Sequence, residues 1–202
     1  MMRGTSATIC AGAVLAALFP AAGCRIEKDS HGDKKDVNIA TPFGGMHVKT
    51  NDAAPNEAIG LAAYPGAVPV KKNNNNDASA DVDMHFGSFQ LRVKAATYRT
   101  GDSMDKVEAF YRNDLKRYGD VIACRGHAAV GEPTRTMAGL TCEDNDRRRI
   151  SVDDSDRKSD LELKAGSRSH QHIVGLKPES GGTQFALVAL ELPTGSKDPD
   201  PN

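Results

Sequence analysis

The clearest periodic pattern in the chain lies between residues 98 and 119, where apolar and aromatic residues recur every three or four positions. This spacing places them along one stripe of an α-helix and leaves charged residues on the opposite side. Asp102 or Ser103 can cap the first turn, and Gly119 can adopt the left-handed conformation that ends a helix. The pattern predicts an amphipathic helix that needs a sheet to cover its apolar stripe. The stripe consists of Met104, Val107, Phe110, Tyr111, Leu115 and Tyr118.

Alternating apolar and polar residues on both sides of this helix predict the strands of the sheet. Residues 84–100 predict one strand that leads into the helix. Residues 171–177 and 183–192 predict a hairpin, because Gly181 and Gly182 between them favour a tight turn. Further short β-like runs lie at 121–125, 137–143, 149–152 and 161–165. The order of the elements predicts an α+β fold, with one amphipathic helix packed on a mostly antiparallel, meandering sheet of about five or six strands.

Two smaller elements precede this domain. Residues 25–36 are mostly charged and predict a flexible tether. Apolar residues within 37–39 and 46–48 alternate with polar ones around a turn at 42–45, which predicts a small β-hairpin. Because an isolated hairpin is marginal in water, this one docks either on its own domain or on a partner.

The sequence therefore predicts four parts in the chain. Residues 1–23 form a signal peptide, and residues 24–58 form the tether with its small hairpin. Residues 59–193 form the α+β domain, in which the asparagine-rich stretch at 71–80 is an exposed loop. The polar residues 194–202 form a disordered tail.

The N-terminal segment has the layout of a secretory signal. One positive charge at Arg3 precedes an apolar run at 7–19, which Pro20 and small residues follow. The apolar run is too short to span a membrane in the mature protein. The segment therefore predicts export.

The residues Ala21-Ala22-Gly23-Cys24 resemble a bacterial lipobox, in which the cysteine thiol receives a diacylglycerol and the chain is cleaved just ahead of it. The resemblance implies a lipoprotein whose acyl chains, palmitate among them, anchor Cys24 in a membrane. Because Arg25 and not Asp follows the cysteine, it further implies transport to the outer membrane, facing the periplasm. The alternative is ordinary signal cleavage, which gives a soluble periplasmic or secreted protein.

Export also decides how the remaining cysteines and charges are interpreted. Cys10 leaves with the signal, so Cys124 and Cys142 remain as a pair in an oxidising compartment, and this predicts a disulfide. A metal thiolate pair or a redox-active pair is disfavoured because no CxxC spacing is present. Without residues 1–23 the chain loses one base and no acid, which leaves 25 bases, 27 acids and a net charge of −2. This charge argues against nucleic acid as a partner.

Two histidines have the spacing that is most typical of a metal site. His170 and His172 alternate along a predicted strand, so both imidazoles point to one face. His85, His127 or the acids within 153–156 would have to supply a third ligand. Two histidines on a solvated strand face are the competing interpretation.

Clusters of like charge follow the second cysteine of the pair. The acids within 143–146 and 153–156 offer oxygen ligands for calcium, but neither cluster has the glycine and the bidentate glutamate of an EF-hand loop. The three arginines at 147–149 have acids next to them in the sequence. We interpret all three clusters as solvated turns and strand ends.

The motifs of common enzyme classes are absent from the sequence. It contains no GxSxG, no HExxH, no glycine-rich phosphate loop and, once the disulfide forms, no lone cysteine nucleophile. No cofactor is predicted. The leading hypothesis is a non-catalytic binding or assembly module of the cell envelope, with the membrane and an envelope protein or the cell wall as partners. The alternatives are a small-ligand or metal-binding lipoprotein that uses His170 and His172, and then a hydrolase without a recognisable motif.

Residues across the α+β domain also resemble a group of bacterial proteins. The sequence reads YPGA at 64–67, then Tyr98-x-Thr100, Val107-x-x-Phe110-Tyr111, Leu115 and finally Thr183-x-Phe185-Ala186-Leu187-Val188. This combination resembles uncharacterised exported proteins and lipoproteins that carry a "YPGA … FYR … L" domain. The resemblance covers residues 64–193 and implies no activity.

Overall fold

The computed structural model describes residues 25–31, 34–51, 56–70, 78–143 and 160–193. The predicted signal peptide, Cys24, the asparagine run, the charge clusters within 144–156 and the tail at 194–202 lie outside these ranges. In chain order the elements are β1 (Arg25–His31), β2 (Lys34–Thr41), β3 (Gly44–Asn51), α1 (Asn56–Ile59), β4 (Val68–Pro69), β5 (Ser79–Phe86), β6 (Phe89–Thr100), α2 (Met104–Leu115), a 3₁₀ turn (Lys116–Tyr118), β7 (Ile122–Arg125), β8 (Ala128–Ala129), β9 (Leu161–Gly166), β10 (His170–Glu179) and β11 (Gly182–Glu191).

All strands of the described part of the chain belong to one antiparallel sheet. Its order is β1-β2-β3-β5-β6-β11-β10-β9-β7-β8, and β4 pairs with one end of β6. The prediction of a mostly antiparallel sheet beside a helix is confirmed, whereas the predicted number of strands was too small. One reason is that residues 84–100 are not a single strand: β5 and β6 form a hairpin whose turn contains Gly87 at a φ of 58°.

The predicted tether is also wrong. Residues 25–31 form β1 and residues 34–36 begin β2, and the two strands pair in register from Arg25 opposite Ala40 to His31 opposite Lys34. Charged residues suit a strand at the margin of a sheet, because water reaches their side chains while the backbone groups pair. The predicted hairpin at 37–48 is confirmed as β2 and β3. It docks on its own domain, since β3 pairs with β5 along its whole length.

The helix predicted from the periodic pattern is present as α2 and its 3₁₀ extension. The backbone carbonyl of Ser103 accepts hydrogen bonds from the first turn, although its side chain does not cap the helix. Gly119 ends the 3₁₀ turn at a φ of 116° and a ψ of −154°, which is a positive φ outside the left-handed helical region. Three helical side chains, Val107, Tyr111 and Leu115, are buried. They pack against buried residues of β6, β9, β10 and β11 and form the main core.

A second, smaller core lies on the opposite side of the sheet. Ala123 faces the main core, so its neighbours Ile122 and Cys124 in β7 point the other way. They pack with Leu140 and Cys142. Cys124 and Cys142 form a disulfide in the structure, with Cα atoms 5.6 Å apart. The run at 137–143 was predicted as a strand but consists of turns with one isolated bridge.

No helix among the described residues has the length and apolar character needed to cross a membrane.

Candidate functional site

The two candidate metal ligands lie beside the end of the main helix. His170 and His172 occupy the same face of β10, as the sequence predicts. Together with Gly60, Arg92, Lys94 and Glu191 they line an open pocket of about 200 Å³. The imidazole of His172 stacks on the ring of Tyr118, with centroids 3.6 Å apart and planes inclined by 11°.

A loop that is distant in sequence closes one side of this pocket. The carbonyl oxygen of Gly60 accepts hydrogen bonds from the side chains of Arg117 and Tyr118, which end the helical segment. Gly60 has a φ of +77°, and a Cβ atom there would stand 2.7 Å from the Tyr118 hydroxyl and 3.3 Å from His172 Nε2. Only glycine therefore fits at this position without displacing the stacked pair.

The positive charges of the pocket are already paired with carboxylates. The guanidinium of Arg92 lies 2.9 Å from Asp83 and 3.2 Å from Glu191. The ammonium group of Lys94 lies 3.8 Å from Asp81. Because each cation has a carboxylate at hand, the pocket has little net positive charge to attract an anion.

The electrostatics of His172 favour a neutral imidazole. Burial lowers the pKa of His172, and the nearby charge of Arg117 lowers it further. Its Nδ1 atom is buried and has no hydrogen-bond partner among the described residues. His170 is exposed, and its Nδ1 lies 3.1 Å from the Ser169 hydroxyl. A neutral imidazole is the form that binds metals.

The structure does not add a third ligand to this pair. Among the described residues, no group of three or more His, Cys, Asp or Glu side chains is arranged to hold a metal ion. His85 lies on β5, beside Asp83 at 3.9 Å, and His127 lies in the turn between β7 and β8. The acids within 153–156 lie outside the described residues. A metal site at His170 and His172 therefore stays a prediction.

A larger feature lies on the other face of the sheet, and the sequence reading missed it. Strands β2, β3, β5 and β6, together with one residue of β11, place apolar side chains in cross-strand rows on the face that points away from α2. One row contains Ile39, Met46, Met84 and Leu91, and the next contains Val37, Val48, Val82, Val93 and Leu190. We call these nine residues the open face.

None of the open-face residues belongs to either hydrophobic core. All nine are partly exposed, although they shield one another along the rows. With strands about 4.8 Å apart and rows about 7 Å apart along them, the nine side chains cover roughly 20 Å by 14 Å, or on the order of 300 Å². This is the size of the largest apolar patch on a typical monomer, and such a patch is often functional.

The reverse side of the same strands is strongly polar. Its side chains form ion pairs, including His47 Nε2 with Asp36 at 2.6 Å and Arg92 with Asp83. In an antiparallel sheet with one polar face, the apolar face normally packs on a core. Among the described residues, neither hydrophobic core covers the open face.

A signal for the open face was present in the sequence but was divided between two predicted elements. Residues 80–85 alternate strictly between apolar and polar, yet the exposed loop was predicted to run to residue 80 and the strand to begin at residue 84. The stacking of Tyr118 on His172 has no sequence signal, because the two residues belong to different elements that are brought together only by the fold.

The described residues thus offer an open polar pocket and an uncovered apolar sheet face. The predicted likeness to "YPGA … FYR … L" proteins stays a prediction. Comparison of the chain with protein-family models, with curated proteins and with solved structures finds no match.

Proposed function

We propose that this protein is an exported lipoprotein, anchored through Cys24 in the outer membrane, that acts as a non-catalytic binding module of the cell envelope. The open face is the contact surface, and its partner is another envelope protein with an apolar surface of its own. The observation that carries the proposal is the uncovered apolar face on strands β2, β3, β5 and β6.

The energetics of the open face support binding. Covering on the order of 300 Å² of apolar surface contributes about 7 kcal/mol before the costs of association are subtracted. The charged reverse side supports the same conclusion, because it keeps the half-sheet soluble and leaves one apolar surface for contact. A binding module also needs no deep polar cleft, and the pocket at His172 is open with paired charges.

The experiment that tests this proposal is site-specific photo-cross-linking in cells. A photoreactive benzoylphenylalanine replaces Val82 on the open face or Asp83 on the reverse side of the same strand. These neighbours lie on the same strand and point to opposite faces, so the two probes report opposite surfaces of the sheet.

We expect Val82→benzoylphenylalanine to give an adduct of defined mass with another envelope protein, and the probe at Asp83 to give none. An adduct of twice the chain mass would show instead that the open face joins two copies of this protein. Equal adducts from both positions, or no adduct from either, would contradict a role for the open face in binding.

A second candidate function is a small-ligand or metal site at the His172 pocket. The buried Nδ1 of His172 without a hydrogen-bond partner favours it. Elemental analysis of the purified full-length protein would then find about one metal ion per chain. His172→Ala should remove that metal, whereas His85→Ala on β5 should retain it. A metal-free native protein that also fails to take up zinc would exclude the metal-binding form of this candidate.

A further inference from the structure

Large apolar side chains are unusually exposed at one end of the sheet. Phe43 in the turn between β2 and β3 is 85% exposed, and Phe86 and Phe89 beside the turn between β5 and β6 are 43% and 41% exposed. Ile26 near the start of β1 is 60% exposed. Each of these side chains would be covered in a typical core. We call these four residues the aromatic end.

The strand register brings the four residues to the same end. Phe86 is the cross-strand partner of Phe89 and also of Gly44, which follows Phe43 directly. Ile26 pairs with Ile39, two residues before β2 ends at Thr41 and the same turn begins. The turns of two neighbouring hairpins and the first residues of β1 therefore lie at the same end of the sheet, in which neighbouring strands are about 4.8 Å apart.

The predicted acyl acceptor is attached at this end. β1 begins at Arg25, and Arg25 lies opposite Ala40, close to the turn that contains Phe43. Cys24 directly precedes Arg25 in the sequence, so acyl chains on it would start at the same end of the sheet as Ile26 and the turn with Phe43.

We propose that the aromatic end inserts into the surface of the lipid bilayer beside the acyl chains of Cys24. The inference rests on the proposed lipid anchor and adds a second contact to it. Exposed phenylalanines beside an acylated residue gain from entering the region between lipid headgroups and chains. An acyl anchor alone leaves a domain free to tumble on its attachment, whereas turns inserted at the same point fix its orientation.

The orientation has a consequence for the open face. With the two hairpin turns in the bilayer surface, the strands rise away from the membrane, and the open face points sideways along it. A neighbouring envelope protein can then reach the open face without competing with lipid. A bilayer contact at the aromatic end and a protein contact at the open face are therefore compatible.

Tryptophan fluorescence tests this inference cleanly, because the chain contains no tryptophan. The variant Phe43→Trp places a single emitter at the aromatic end, and Phe89→Trp is a second reporter in case the first variant folds poorly. Val68→Trp is the matched control: Val68 is 48% exposed and pairs with Arg99, ten residues along β6 from Phe89. That separation corresponds to about 33 Å along the strand.

The measurement uses the full-length, acylated protein in vesicles of phosphatidylethanolamine and phosphatidylglycerol, with and without brominated acyl chains. We expect the indole introduced at position 43 or 89 to shift its emission to shorter wavelength and to lose about half of its intensity to the brominated lipid. The indole introduced at position 68 should respond to neither change.

Flotation of the vesicles separates the two proposals. Protein that floats with the vesicles while its indole at position 43 or 89 stays unquenched would overturn the inference and leave the anchor intact. Quenching of the control at position 68 to the same degree would also overturn it, because the contact would not be specific to the aromatic end. Protein that fails to float would overturn the anchor and, with it, this inference.

Discussion

A pair of isosteric substitutions shows whether the open face is truly uncovered in the folded chain. Val82 lies on the open face, partly exposed, and Val174 lies in the main core beneath α2, fully buried. Both are central strand residues. Replacing either valine with threonine keeps the branched shape and exchanges one methyl group for a hydroxyl, so no cavity forms.

The two substitutions should differ in cost because the hydroxyl meets different surroundings. At Val174, the cross-strand neighbours Leu163 and Leu187 offer no side-chain hydrogen-bond partner. A buried, unpaired hydroxyl costs about 1–3 kcal/mol. At Val82, water can reach the hydroxyl, and threonine suits a strand, so we expect a change within about 0.5 kcal/mol.

Urea denaturation followed by far-UV circular dichroism measures both free energies of unfolding. We expect Val174→Thr to lower the midpoint clearly and Val82→Thr to leave it almost unchanged at low protein concentration. A loss at Val82 as large as that at Val174 would refute this reasoning, because it would mean that the open face is buried in the folded protein. If the free energy lost in Val82→Thr grows with protein concentration, a second copy of the chain covers the open face.

Three further predictions concern the pocket and the disulfide. Gly60→Ala should lower the free energy of unfolding by more than about 1 kcal/mol, since it adds both a strained φ and a clash. Gly66→Ala is the control: at a φ of 73° with nothing within 4 Å, it should show the cost of the strain alone when both variants are measured by thermal melting. Burial lowers the pKa of His172 below its ordinary value of 6.5, so the unfolded chain binds the proton more readily than the folded chain. The free energy of unfolding should therefore fall as the pH drops below about 7. His172→Phe should make this dependence on pH weaker, and an unchanged dependence would assign it to other groups. Replacing Cys124 and Cys142 with alanine opens a loop of 18-residue separation and should cost about 3 kcal/mol in urea denaturation, whereas a loss below about 1 kcal/mol would mean that the loop is held without the disulfide.

Local patterns in the sequence were sufficient to predict the elements whose structure depends mainly on nearby residues. The spacing of Val107, Tyr111 and Leu115 predicts a helix wherever it occurs, and the structure buries these three residues. The hairpin of β10 and β11 follows from its glycine turn and its alternating residues. The pairing of Cys124 with Cys142 follows from counting the cysteines that remain after export. Each of these inferences needs only residues that are close in sequence or few in number.

The elements that were missed depend on partners elsewhere in the chain. Residues 25–36 carry too few apolar side chains to predict a strand, yet β1 forms because the backbone of β2 pairs with it. The open face appears only when five strands are aligned in register, since each strand contributes only one or two of its apolar residues. In the pocket, Gly60 and Tyr118 are separated by 58 positions, so no local pattern could bring them together.

Export and acylation at Cys24 underlie both the proposed partner class and the inferred membrane contact. Intact mass spectrometry of the native, membrane-extracted protein tests this central claim most directly. We predict a chain that begins at Cys24, carries diacyl or triacyl mass, and is about 2 Da lighter before reduction than after it, because of the disulfide. A chain that retains residues 1–23, or one without acyl mass, would contradict the account.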